Sequence, residues 1–342
     1  MNISSKRFER IVRDFRGRRV AVLGDLMLDR FLFGGATRLS PEAPVPVVEI
    51  DHHSTKTHPG GAGNVAANIS ALGGQPLCLG VVGRDEAGRE IVKGLRALGV
   101  ETRGIVAVEG RPTTVKLRVM AQHQQIVRAD WETREVVPRK IEARLLRSLR
   151  KELSRLEVVV LSDYGKGLLT PSLLGGLLAL CQERRVPVFL DPKPRPAYSG
   201  AMFCRGVTAV TPNLQEAGQL AGVAIDDEKT LELAGSKLLA FFNSRFVLVT
   251  RGKDGMTLFE APRDNRRPSG SVHIPSLERQ VFDRTGAGDT VISTLALSSA
   301  AGASMREAAV LANHAAGIVV GKLGTATLTP RELLQSLHAD RG

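Results

Sequence analysis

Six short runs of β-branched and aliphatic residues punctuate the first 250 positions: VAVL (20–23), LCLGVV (77–82), VVVL (158–161), VPVFL (186–190), VTAV (207–210) and FVLV (246–249). Each is apolar at consecutive positions rather than alternate ones, so both faces of the strand must be covered. Helix-period stretches lie between them. In IEARLLRSLRKELSRL (141–156) the spacing puts Ile141, Leu145, Leu149, Leu153 and Leu156 on one face, with Pro138 ahead as a start signal. Apolar strands alternating with amphipathic helices predict an α/β fold, doubly wound around a mostly parallel sheet.

Two regions break this rhythm. Residues 30–58 and 112–130 alternate polar and apolar side chains without helical periodicity, which predicts strands outside the main sheet, paired as a small β-lid. Pro44 and Pro46 confine their strand to an edge, and the unpaired edges at 43–50 and 113–130 predict a homodimer. No repeat or linker interrupts the 342 residues, so the expectation is a single domain over 1–342 with a lid. The N-terminus has no apolar leader and no apolar run approaches the ~18 residues of a membrane span, so the reading is a cytoplasmic protein with no membrane partner. Cys78, Cys181 and Cys204 are widely spaced and read as reduced thiols.

The formal charge of +12 raises the question of nucleic acid. The arginines are scattered, however, and with Trp131 and two tyrosines the chain offers few stacking platforms, so no nucleic-acid partner is expected.

Ligands of doubly wound sheets bind at the carboxyl ends of the strands, and polar clusters recur there. VAVL is followed by Gly24-Asp25, VVVL by SDYGKG (162–167), VPVFL by DPKP (191–194), VTAV by TPNLQE (211–216) and FVLV by TRGKDG (250–255). Turn chemistry explains any one of these. It does not explain Lys166, Lys193, Asn213, Glu216 and Arg251 at one edge.

DRTGAGDT (283–290), running into a helix-like VISTLALSSAA, admits two readings: a glycine turn with an acid favouring the helix dipole, or an anion site made by bare backbone N–H groups. On the second reading Asp289 stands beside the anion, where a carboxylate serves as a base acting on whatever attacks it. Two other phosphate-like motifs fail. GRDEAGRE (83–90) carries Arg89-Glu90 where a P-loop needs Lys and Ser/Thr, and GGAGNVAAN (60–68) lacks the dinucleotide spacing.

DRTGAGDT, with PGGAGNVAAN upstream and TPNLQE between them, resembles the ribokinase-like (PfkB) sugar kinases over essentially the whole chain. Within that family GDLMLDRFLFG, TRLSPEAPVPVVEI, TVKLRVMAQHQQIVRAD, LSDYGKG and VVGKLGTATLTP are similar to the branch that phosphorylates C1 of D-glycero-β-D-manno-heptose 7-phosphate, on the way to ADP-heptose and the lipopolysaccharide core. The resemblance implies ATP and Mg²⁺ as cofactors. It implies Asp289 as general base, with Gly286, Ala287 and Gly288 as the anion hole. Asn213, Leu214, Gln215 and Glu216 match the family's N-x-x-E motif, with Glu216 acting on Mg²⁺ through water. Arg251, Gly252 and Asn313 fall where the family contacts nucleotide, and Asp25, Gly60, Gly61 and Asn64 where it contacts sugar hydroxyls.

Arg38, Lys116, Arg118, Lys166 and Lys193 exceed what ATP requires, which points to an acceptor already bearing a phosphate. Ribose and fructose phosphate remain alternative acceptors. In many bacteria the heptose kinase is fused to an adenylyltransferase marked by H-x-G-H. That motif does not occur in this sequence, so the expectation is the monofunctional form with a separate adenylyltransferase acting later. The stretch at 261–270 (APRDNRRPSG) is longer and more basic than the resemblance leads one to expect of a hairpin tip.

Overall fold

The computed structural model describes residues 4–51, 54–122, 124–194, 204–262, 270–277, 282–322 and 324–339. The basic tip at 263–269 lies outside them. The chain begins with α1 (Ser5–Arg13) and β1 (Arg19–Gly24), passes through Asp25, and continues as β2 (Leu26–Leu39), β3 (Pro46–Ile50) and β4 (Lys56–Gly61). β4 runs straight into α2 (Ala62–Ala71), followed by β5 (Gln75–Gly83), α3 (Glu86–Ala97), β6 (Glu101–Val108), β7 (Thr114–Ala121) and β8 (Gln124–Trp131). Next come α4 (Arg139–Glu152), β9 (Val158–Ser162), α5 (Pro171–Arg184), β10 (Val188–Asp191), β11 (Ala209–Val210), α6 (Leu214–Ala221) and α7 (Glu228–Phe242). β12 (Phe246–Thr250), β13 (Met256–Glu260) and β14 (Gly270–Ile274) precede α8 (Ala287–Ala300), α9 (Met305–Val319) and α10 (Pro330–Ala339).

Among the described residues nine strands form the main sheet, in the order β14-β13-β12-β11-β10-β9-β1-β5-β6. All six apolar runs enter it, four of them buried at every position, and that consecutive burial has the expected cause. Val20 and Val22 join one core with Phe8, Val65, Val291 and Leu333 from α1, α2, α8 and α10. Ala21 and Leu23 join the opposite core with Ile141, Leu173 and Leu231 from α4, α5 and α7. The five apolar residues read onto one face of the 141–156 helix are all buried, although the helix closes with a 3₁₀ turn at Leu153–Arg155.

Three strands escaped the sequence reading. β6 is a sheet edge, buried at alternate positions, and its Thr102, Arg103 and Gly104 break any apolar run. β13 and β14 pair antiparallel beyond β12, which makes that margin of the sheet mixed.

A second sheet has the order β3-β2-β7-β8, with β4 also paired to β2. β2 and β7 run parallel in register from Met27↔Thr114 to Gly34↔Ala121. β3, which begins at Pro46, is an edge strand, as its prolines require. Among the described residues no helix is long and apolar enough to cross a membrane.

The joint between the sheets is Asp25. Its N–H donates to Ser162 O at 3.1 Å, its carbonyl accepts from Ala62 N at 3.0 Å, and its Oδ2 accepts from Tyr164 N at 2.9 Å and Lys166 N at 3.0 Å. One buried residue therefore ties the end of β1, the start of α2 and the loop after β9 together.

Candidate active site

Helix α8 begins at Ala287, with Gly286 as its cap in the left-handed region at φ 80° and no side chain capping it. Ala287 N donates back to Arg284 O at 3.2 Å and Thr290 N to Gly286 O at 3.0 Å. Between them, among the described residues, the N–H groups of Gly288 and Asp289 have no hydrogen-bond partner. Of the residues expected to form an anion hole over 286–288, Ala287 alone spends its N–H locally; among the described residues Gly286 N–H, like those of 288 and 289, has no partner. Gly286 supplies the turn. A Cβ there would meet Asn64 Nδ2 at 2.6 Å, whereas a Cβ on Gly288 would meet nothing within 4 Å and would project into open space.

Asp289, in the first turn of α8, is only 2% exposed. Asn64 Nδ2 donates to its Oδ2 at 2.8 Å, and the Tyr164 hydroxyl donates to its Oδ1 at 2.8 Å. Asn68 Nδ2 reaches Asn64 Oδ1 at 3.2 Å, which fixes the amide with its nitrogen toward the carboxylate. Burial lifts the Asp289 carboxyl to about 7; the hydrogen bonds from Asn64 and Tyr164 oppose that rise, and the charge of Asp29 adds to it. A carboxylate so placed titrates near neutrality, where a base works best. Tyr164 itself is pushed well above the usual phenol range by burial and by the neighbouring Asp289 and Asp191.

Two cavities meet at Gly288. The larger, 650 Å³, is lined by Gly252, Met256, Ala287, Val291, Asn313, Ala316 and Val320 among others. The smaller, 150 Å³, is lined by polar and acidic groups that include Asp163, Tyr164, Asp191, Lys193, Asn213 and Glu216. An apolar slot and an acidic chamber thus flank one helix N-terminus, suiting a base and ribose on one side and a cation with phosphates on the other.

Residues 18–332 match the pfkB family of carbohydrate kinases. The chain belongs to that family. As a PfkB kinase it is a carbohydrate kinase with a mixed α/β, ribokinase-like fold. The chain is 44% identical over 322 residues to the "Bifunctional protein HldE" of Geobacter metallireducens, covering 93% of this PfkB chain and 63% of that relative. It is 45% identical over 324 residues to the protein of the same name from Pseudomonas aeruginosa, covering 94% and 64%. The chain spans a little under two thirds of the length of these curated relatives. Among solved structures, Arabidopsis thaliana ribokinase complexed with ribose and ATP superposes with a TM-score of 0.71 at 20% identity, covering 94% of this chain and 99% of that one. Phosphofructokinase-2 from Escherichia coli in complex with substrates and products gives 0.73 at 17% identity, with the same coverage. At these identities the two structures show the fold alone.

The residues singled out in the sequence take different positions around this site in the PfkB chain. Asp25 is 3% exposed, and its Oδ2 holds backbone, so it braces the site. Gly60 and Gly61 are close-approach positions, where a Cβ would meet Asp29 Oδ2 at 2.3 Å and Asp25 O at 2.5 Å. Leu214 and Gln215 line a separate surface groove, leaving Asn213 and Glu216 at the acidic chamber, bound to each other as a capping box. Arg251 turns its guanidinium to Glu228 and Thr257, while Gly252 lines the large cavity; Asn313 also lines it and donates to Pro275 O at 2.8 Å.

The cations divide as well. Arg38 is exposed far along β2 beside Glu49, outside the site, because a strand advances ~3.3 Å per residue. Lys193 pairs with Glu216 at 3.0 Å and belongs to the acidic chamber. Arg118 is buried against Asp29 at 2.5 Å and over the Phe31 ring. Lys116 and Lys166 reach acids at the end of β8.

Sequence reasoning missed Tyr164 and Asp191 as members of the site. Both were in quoted motifs, SDYGKG and DPKP, and the signal was their place directly after strands β9 and β10. Burial and the nearby charge of Glu216 hold the Asp191 carboxyl well above the usual range. Crowded oxygen donors of this kind fit Mg²⁺, which relieves their repulsion. Among the described residues no three His, Cys, Asp or Glu side chains converge with metal-ligand geometry, so water would complete the coordination.

The two glycines should separate under mutation. Gly286→Ala introduces strain at φ 80° and a clash with Asn64, and is expected to lower the melting temperature measurably. Gly288→Ala should leave the melting temperature nearly unchanged but weaken ATP turnover, because its methyl group enters the space between the cavities. Equal destabilisation by both, or full activity of Gly288→Ala, would contradict this assignment.

Proposed function

We propose that the chain transfers the γ-phosphoryl group of ATP to the anomeric hydroxyl of D-glycero-β-D-manno-heptose 7-phosphate, giving the 1,7-bisphosphate used in ADP-heptose and lipopolysaccharide-core synthesis. The observation that carries the chemistry is the buried Asp289 carboxylate beside the open N–H groups of α8, where the two cavities meet. The sugar lies beneath the second sheet with its C1 hydroxyl at Asp289, which takes the proton as that oxygen attacks phosphorus. Asn64 and Tyr164 hold the carboxylate in orientation. The N–H groups of Gly288 and Asp289 face the charge that develops on the transferring group. ATP occupies the large cavity, its base against Met256, Val291 and Val320. Asp191, Asn213 and Glu216 would hold Mg²⁺ through water, and the bound ion supplies neutralisation of the phosphate oxygens.

The heptose assignment draws on the stretches at 24–34, 37–50, 114–130 and 319–330, and on the similarity to the HldE proteins. A ribose or fructose phosphate acceptor is the second reading. The adenylyl transfer that follows is assigned to a catalytic unit other than this one, and the setting is the cytoplasm, where ATP and sugar phosphates are available. Two copies associate through the second sheet, whose Leu39, Val127 and Trp131 are 69%, 52% and 55% exposed.

Asp289→Asn should lower kcat by about 10²–10⁴-fold with nucleotide affinity retained, as expected for loss of a general base. Retention of more than about a tenth of the activity would remove Asp289 from that role.

The ionised form is the base, so kcat/KM should fall as pH drops below about 7. Because folding raises this carboxyl from 3.8, the stability it contributes is fully present below 3.8 and is lost as pH rises through 7. Tyr164→Phe removes a hydrogen bond that favours the charged form and should move the acid limb of the profile upward. An unmoved limb would separate Tyr164 from the base.

Comparing heptose 7-phosphate, heptose, ribose and fructose 6-phosphate under one ATP and Mg²⁺ condition tests the acceptor. The first should be preferred clearly; equal rates with heptose, or preference for ribose, would overturn the assignment. Light scattering should give twice the chain mass of 36.8 kDa, and a monomer would refute the association.

A further inference from the structure

Two ammonium groups, carried on different sheets, converge on a single oxygen. Lys166 Nζ, from the loop after β9, hydrogen-bonds Glu132 Oε2, and Lys116 Nζ, from β7, lies 3.7 Å from the same atom. Their side chains are 11% and 15% exposed, so their mutual repulsion is only partly screened by water. Lys116 also donates to Asp130 Oδ2 at 2.9 Å, so Glu132 is the group that answers both lysines at once.

The cluster adjoins the reaction centre. Lys166 stands two residues after Tyr164, whose hydroxyl holds Asp289, and its own N–H is gripped by Asp25. Lys116 is the register partner of Asp29, whose charge is felt at Asp289. Behind them Arg111 donates to Lys166 O and to Glu135 O, which fixes the loop against the segment following β8. Two lysines are therefore held on one carboxylate of the chain, one of them two residues from the tyrosine that holds the base.

We propose that Glu132 stands in for the phosphate of the sugar substrate: its carboxylate occupies the subsite made by Lys116 and Lys166, and the incoming phosphate displaces it. This rests on the reading of the acceptor as a sugar phosphate. A dianionic phosphate with three acceptor oxygens satisfies two ammonium groups better than one carboxylate oxygen does. A tethered carboxylate nevertheless competes at an effective concentration in about the millimolar range. An unphosphorylated sugar cannot displace it and meets a closed subsite, so Glu132 sets specificity as well as affinity.

The test uses the intact chain. Glu132→Gln should lower KM for the sugar phosphate about tenfold, while KM for ATP stays within twofold. Glu132→Asp keeps the charge on a shorter stem and should fall between. Inorganic phosphate, added with saturating Mg²⁺ and ADP to fill the nucleotide site, should raise the melting temperature of Glu132→Gln more than that of the native chain. It should do nothing for the Glu132→Gln/Lys166→Met double variant. A KM and a phosphate response unchanged by Glu132→Gln and Glu132→Asp would overturn the proposal. The expected phosphate response together with no turnover of any sugar phosphate would leave the subsite standing and fault the acceptor instead.

Discussion

Asp25 Oδ2 accepts two backbone N–H groups, from Tyr164 and Lys166, while the carbonyl of the same residue caps the first turn of α2. The arrangement of the site follows from that joint. It brings the loop after β9 and the start of α2 to a common point, so that Tyr164 from one and Asn64 from the other arrive on opposite oxygens of Asp289. A carboxylate buried among neutral donors is costly to ionise, and only two well-aimed hydrogen bonds keep its pKa as low as about 7. Loosening Asp25 would therefore disturb both groups that hold the Asp289 carboxylate.

The architecture was legible because fully buried parallel strands leave an unmistakable trace: Val20–Leu23 and Val158–Leu161 are apolar at every position because a core lies on each side. β6 and β14 were not legible. An edge strand faces one core, and its exposed positions accept the Arg, Glu, Ser and His that mask the pattern. The site divided along similar lines. The Gly286 turn was visible because its chemistry is local in sequence; the capping box of Asn213 and Glu216 is equally local, yet the pair was read only as a motif implied by the resemblance. Partners distant in the chain, such as Asn64 to Asp289 or Lys166 to Glu132, had no local signature, and charge alone did not disclose that Arg38 pairs with Glu49 and Lys193 with Glu216.

The net charge of +12 gives the wrong impression of the reaction centre. Within it Asp29, Asp163, Asp191, Glu216 and Asp289 crowd together, and the nearest cations, Arg118, Lys193 and Lys166, are each committed to a carboxylate. Such a centre repels a polyphosphate as it stands. On the proposed reading it would become receptive when a divalent cation enters with the nucleotide, and when a second anion takes the lysines from Glu132. If the acceptor is a sugar phosphate as proposed, phosphate binding is ordered by charge: metal and nucleotide relieve the acidic chamber, the sugar phosphate relieves the lysine pair, and Asp289, which has no cation partner among the described residues, is left as the basic group in the space between them.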